Sequence, residues 1–159
     1  MLLLITTFER NSLWLNEISL WKDTAMKSSS KARAYNGLGY AYLMNNKIDD
    51  AIKQYLKAIS IDHDNIESHY NLGIAYKDKG LLDEAISQWN TVIQIQPDYK
   101  DAYHNIGTAY IHKEQYHKAI EYLHKAKNLK PDSLIHHNLG VAYEKIGLID
   151  NAITEYMSA

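Results

Sequence analysis

The chain has 159 residues and a mass of 18.3 kDa, with 17 Lys and Arg against 19 Asp and Glu, a formal net charge of −2. Near-balanced charge with no long run of one sign excludes the electrostatic footprint of a nucleic-acid binder and a polybasic membrane patch. The absence of cysteine excludes disulfides, thiolate nucleophiles and cysteine-ligated metal centres.

Residues 1–11 begin with an apolar run, Met1 to Ile5. A spanning helix takes about 20 apolar residues, and a signal peptide takes a basic start and a longer apolar centre, so neither is present as written. The spacing Leu13, Trp14, Ile18, Trp21 and Ala25 predicts a helix within residues 12–31. From Ala32 the chain repeats itself. Gly39, Gly73, Gly107 and Gly140 are 34, 34 and 33 residues apart; Leu38, Leu72, Ile106 and Leu139 precede them, Tyr42, Tyr76, Tyr110 and Tyr143 follow three later, and Ala51, Ala85, Ala119 and Ala152 follow twelve later. The repeats run over about 32–65, 66–99, 100–132 and 133–159, the last stopping within its second helix. In register with them, Trp21 takes the place of Tyr55 and Glu17 that of a small residue. Residues 12–31 therefore read as the second helix of a degenerate repeat, packed more loosely or differently.

Each repeat opens with a first helix, about 32–45, 66–79, 100–113 and 134–146. Asn46, Gly80 and Gly147 then stand where the chain leaves that helix, and these residue types tolerate left-handed backbone; Glu114 is a mild misfit in the same place. Asp49, Asp83 and Asp150 are placed to cap the second helices, a role His117 takes over in the third repeat. Pro97 and Pro131 end second helices, while His63 in the corresponding place predicts a less rigid first junction. The glycines let paired helices approach, with the alanines as the matching small surface and the large rings beside them. Replacing Ala85 with Leu is expected to overpack that seam, at about 1–3 kcal/mol.

The pattern of aromatic, x2, Leu-Gly, x2, Tyr, then Ala-x3-aromatic, then Pro resembles the tetratricopeptide repeat over roughly four fifths of the chain. The resemblance implies an all-α fold, a right-handed superhelix (α-solenoid) of helix–turn–helix repeats whose first helices line a concave groove. In this family the fifth and sixth positions of each repeat point into that groove. Here the fifth carries Asn36, Tyr70, His104 and His137, and the sixth carries Gly37, Asn71, Asn105 and Asn138. Asn71, Asn105 and Asn138 form a row of amides, each both donor and acceptor, able to satisfy the backbone of an extended peptide. The row is similar to the asparagine ladder in the repeat domain of the O-linked N-acetylglucosamine transferase, with Gly37 interrupting it. Groove charge is mixed: Arg33 and Lys77 against Glu67, Asp78, Asp101 and Glu144. The carboxylate clamp of chaperone-binding members is not matched, because Asn36 and Tyr40 stand where it takes Lys and Asn, and Asp101 and Asn105, or Glu67 and Asn71, where it takes Lys and Arg.

A second resemblance concerns the start. Arg10-Asn11-x2-Trp14, Leu20-Trp21-x-Asp23, Lys27-Ser28 and Lys31-Ala32-Arg33 are similar to the junction before the tetratricopeptide tail of polytopic membrane proteins such as protein O-mannosyltransferases, with Ser29 in place of a proline. The first residues would then be the stub of a membrane helix, and the chain a piece of a longer protein.

Eight histidines raise a metal reading, but His104 and His137 lie one repeat apart, about 10 Å at one helix diameter, and no HExxH motif occurs. No nucleophile–base pair, phosphate-binding glycine loop or GxSxG elbow is present. The sequence therefore reads as a non-catalytic scaffold without cofactor or metal, binding an extended peptide or helix through Tyr70, Asn71, Lys77, His104, Asn105, His137 and Asn138. The alternatives are the substrate-positioning tail of a membrane glycosyltransferase and a self-assembling adaptor joined through open repeat ends. Nucleic acid is not an expected partner, and a membrane is one only through an anchor upstream.

Overall fold

The computed structural model describes residues 17–28 and 30–159. The expectations for Met1 to Ile5, for Leu13 and Trp14, and for the Arg10–Asn11 part of the membrane-protein resemblance lie outside those residues. Among the described residues the structure is helical throughout, without strands. Helix α1 covers described residues 17–27. It is followed by α2 (Ala32–Met44), α3 (Ile48–Ile61), α4 (Ile66–Asp78), α5 (Leu82–Ile95), α6 (Lys100–His112), α7 (Tyr116–Leu129), α8 (Ser133–Lys145) and α9 (Ile149–Met157). This is the all-α fold class the repeats predict. No helix among the described residues is long and apolar enough to cross a membrane.

The chain divides into two compact units, Met1–Lys79 and Gly80–Ala159. In the N-terminal unit α3 packs against both α2 and α4; in the C-terminal unit α5 packs on α6, and α7 packs against both α6 and α8, with α9 on α8. Within α2, α3 and α4 the buried apolar side chains recur on one stripe, among them Leu38, Ala41, Ala51, Tyr55, Ala58, Leu72 and Ala75. Ile106, Ala109, Ala119, Leu123, Ala126, Ile135, Leu139 and Ala142 do the same in the C-terminal unit.

Three-residue turns join paired helices, and all four use left-handed backbone. Asn46 and Glu114 have φ of 57°, Gly80 82° and Gly147 80°. The chain then folds back on the helix just finished: the amides of Lys47 and Gln115 donate to the carbonyls of Tyr42 and Tyr110, both at 2.9 Å, and that of Leu148 to Tyr143 at 3.0 Å. The repeated tyrosine thus supplies a carbonyl that closes the turn as well as a ring.

Two expectations of local detail are corrected. Asp49, Asp83, His117 and Asp150 do not cap their helices: α3, α5, α7 and α9 follow Lys47, Leu81, Gln115 and Leu148, two residues before each expected cap, and none of these makes a side-chain cap. The aspartates lie in the first turn, where negative charge meets the helix dipole. Asp49 instead pairs with Lys79 at 2.6 Å, and Asp83 with Lys113, each pair joining residues 30 apart. True side-chain caps occur on first helices. Asn65 accepts from the Ser68 amide at 3.0 Å, and Asp132 from the Ile135 amide at 2.9 Å.

The second correction concerns the glycine seams. A Cβ at Gly39 would meet the Tyr55 ring at 2.6 Å, one at Gly107 would meet Leu123 Cγ at 2.6 Å and the Ala119 carbonyl at 3.3 Å, and one at Gly140 would run into Tyr156. The large side chain sits directly on the glycine, so small packs under large rather than small on small. Trp21 repeats the arrangement at Gly37, its indole atoms 2.6–2.8 Å from where a Cβ would be. Helix α1 is therefore seated on α2 through the tryptophan, at a glycine two residues before the one that Tyr55 covers.

Candidate peptide-binding surface

In the N-terminal unit, α2 and α4 bring Asn36, Glu67 and Asn71 together. Asn71 Nδ2 donates to Asn36 Oδ1 at 3.1 Å, and Asn36 Nδ2 donates to Glu67 Oε2 at 3.3 Å. Asn36 is buried, so this pairing satisfies an amide that would otherwise be costly to desolvate. Asn71 stays half-buried and keeps a second N–H and a carbonyl oxygen. These residues border a cleft of about 380 Å³ lined by Glu17, Trp21, Arg33, Asn36, Gly37, Tyr40, Glu67 and Asn71.

The C-terminal unit repeats the relation with a histidine. On α6 and α8, Asn138 Nδ2 lies 2.9 Å from His104 Nε2 and 3.3 Å from Thr108 Oγ1. With the amide donating, His104 Nε2 is the acceptor and the ring is neutral. Burial lowers the His104 pKa from its ordinary value, against the opposing pull of Asp132 and Asp101. Lys100 stands between those carboxylates, 2.6 Å from Asp132 and 3.2 Å from Asp101. Its bond holds the Asp132 carboxyl below the usual carboxylate range.

Two sixth-position amides therefore hand a hydrogen bond to the fifth-position side chain of the preceding repeat: Asn71 to Asn36, Asn138 to His104. Asn105 and Tyr70 are half-buried, on α6 beside His104 and on α4 beside Asn71. Lys77 and His137 join neither group. Lys77 Nζ lies 3.4 Å from the neighbouring Asp78, and the exposed His137 ring lies 5.8 Å from that of Tyr156. Sequence reasoning did not single out Glu17, Trp21, Gly37 and Tyr40 as lining residues. The available signal was Gly37: where other repeats carry asparagine, a missing side chain leaves room for an indole. No group of three side chains suited to a metal ion occurs among the described residues.

A family model of the TPR repeat matches residues 45–80 and 75–113, and one of the tetratricopeptide repeat matches residues 100–133 and 134–159. No curated protein sequence matches significantly. Among solved structures, a crystal structure of MamA is similar with a TM-score of 0.86 at 26% identity, over 94% of this chain and 88% of that one. MamA 41-end from Desulfovibrio magneticus RS-1 matches at a TM-score of 0.85 and 19% identity, over 96% of this chain and 87% of that one. YrrB, described as a TPR protein with an unusual peptide-binding site, matches at 0.77 and 21% identity, over 87% and 72%.

Proposed function

This chain belongs to the tetratricopeptide repeat proteins, and from that premise we propose that it is a non-catalytic scaffold that holds an extended peptide or helix of a partner protein along its first helices. The observation that carries this reading is the paired arrangement on those helices, Asn71 with Asn36 and Asn138 with His104. Polar groups are held in place by one another and still have hydrogen-bonding capacity toward a ligand. An extended peptide brings one donor and one acceptor per residue, which such amides satisfy without reading side chains. YrrB, a TPR protein described as having an unusual peptide-binding site, supports the reading at the level of fold.

The test changes Asn71, Asn105 and Asn138 together to Ala. Capture of a verified partner peptide is expected to weaken while helicity by circular dichroism stays unchanged. Unchanged affinity with intact helicity removes the amide row from the reading.

A second reading, association between copies, is favoured by the outer face of α9. Leu148, Ile149, Ile153 and Met157 are exposed there, Met157 to 84%. An apolar patch of this kind is a usual mark of an interaction site. Sedimentation over a hundredfold range of concentration is expected to show association that an Ile153→Glu change abolishes; a monomer throughout excludes it.

A further inference from the structure

The cleft beside α2 and α4 has properties that the hydrogen-bonded amides do not account for. Two carboxylates, Glu17 and Glu67, face it against one guanidinium, Arg33. An adjoining cleft of about 520 Å³ shares Arg33 and Glu67 and adds Asp62 and Asp64. Some charges of the protein are paired internally, as in Lys79–Asp49, Lys100–Asp132 and Lys127–Glu155. Among the described residues Glu17, Glu67 and Arg33 take part in no such ion pair. Carboxylates at a partly walled cleft focus a negative potential that an open surface would dissipate.

Two aromatic rings, Trp21 and Tyr40, form part of the wall. Tyr40 is 46% exposed, and Trp21 is held by its seat on Gly37. Ring faces of this kind attract a cation and also cover an alkyl stem. The Glu67 carboxylate is oriented, because the donor chain from Asn71 through Asn36 ends on its Oε2. A fixed carboxylate loses less conformational freedom on binding than a mobile one.

We infer that this cleft takes the cationic side chain of a lysine or arginine from the bound peptide, with the stem along Trp21 and Tyr40 and the charge at Glu17 and Glu67. This deepens the groove reading and rests on it. Arg33 and Glu67 line both clefts.

The experiment uses the whole chain and four fluorescein-labelled degenerate decapeptide pools, whose central residue is fixed as Arg, Lys, norleucine or Glu and whose other positions are neutral. Fluorescence anisotropy is expected to show the Arg and Lys pools binding about tenfold more tightly than the norleucine pool, the size of one charge-assisted contact. The Glu pool should bind more weakly still. The double variant Glu17→Gln, Glu67→Gln, which keeps acceptor oxygens for Asn36, is expected to remove that advantage, bringing the Arg and Lys pools level with the norleucine pool. Tyr40→Ser should lower binding of the cationic pools about threefold, within the range of an exposed cation–π contact. Circular dichroism confirms that each variant is folded. If all pools bind alike, or the double variant keeps the preference, the cation site is overturned and the groove reading stands. If no pool binds to the folded wild type, both fall together.

Discussion

Tyr55 shows what a single residue reveals about this fold. Its ring covers Gly39 and is fully buried, yet its hydroxyl makes no hydrogen bond among the described residues, and burial pushes the phenol well above its ordinary pKa. The equivalent place above Gly107 is filled by Leu123, which has no polar atom. Tyr55→Phe is therefore expected to leave stability unchanged or raise it by about 1 kcal/mol, because an unsatisfied buried hydroxyl is removed; urea denaturation measures it. Gly107→Ala is the opposite case. The new methyl meets both Leu123 and the Ala119 carbonyl, and backbone cannot step aside as a flexible side-chain end can. A loss of about 1–3 kcal/mol is expected by the same measurement. Glu114 holds left-handed backbone without being glycine, so Glu114→Gly should stabilise by up to about 1 kcal/mol. The sequence marks all three positions through the repeat. What it does not show is that the ring, rather than the alanine, sits on the glycine, because that depends on how far each helix is rotated about its axis.

At the scale of the helix, the most polar contact lies where α7, α8 and α9 meet. Glu155 is 8% exposed and receives bonds from Lys127 Nζ and His136 Nδ1, both at 2.7 Å. Burial alone would raise its pKa, but the bonds from Lys127 and His136 outweigh it and set the carboxyl below its usual 4.5. A carboxyl with a lower pKa folded than unfolded contributes stability that is complete above pH 4.5 and is lost as the pH falls through the folded value. His104 loses stability in the same direction from a higher starting point. Its buried neutral form has a pKa below 6.5, so its contribution is complete above pH 6.5 and declines on acidification. Thermal melts between pH 7 and pH 3 should fall in two steps, and Asn138→Ala should diminish the upper one. Glu155→Gln should diminish the lower step, to which Asp132 also contributes, and cost about 1–2 kcal/mol at neutral pH, since Lys127 is left without its counter-charge in a partly wetted site. By contrast, the exposed Lys79–Asp49 pair can be removed as Lys79→Ala with no change in melting temperature. First-helix boundaries were legible from the sequence to within a residue, because apolar period and turn residues agree. The caps were not: Asp49 and Asp83 look like caps in one dimension, and only the partner lysine 30 residues on shows their role.

For the molecule as a whole, the repeat period of 34, 34 and 33 residues made the fold class legible before any coordinates. The hydrogen bonds along the first helices were legible only in part. Residue types along the expected groove were identified, but Asn71 and Asn138 each spend a donor on the preceding repeat, a pairing set by the offset of neighbouring helices. In repeat proteins stability accumulates between neighbours rather than around one centre. The chain forms two compact units, so hydrogen exchange in Gly107→Ala is expected to accelerate within residues 80–159 and to change less in residues 17–79. Equal acceleration everywhere would show a single cooperative unit.

The contacts between repeats also bear on how such a gene could shorten. Asn71 bonds to Asn36 and Lys79 to Asp49, and Asn105 and Lys113 follow the two donors one period later. An in-frame excision of residues 66–99 would bring Asn105 opposite Asn36, Lys113 opposite Asp49, and Asp101 to where Glu67 had been. Each lost half-contact would meet a chemically equivalent replacement, so copy number is free to drift while the joints between copies survive.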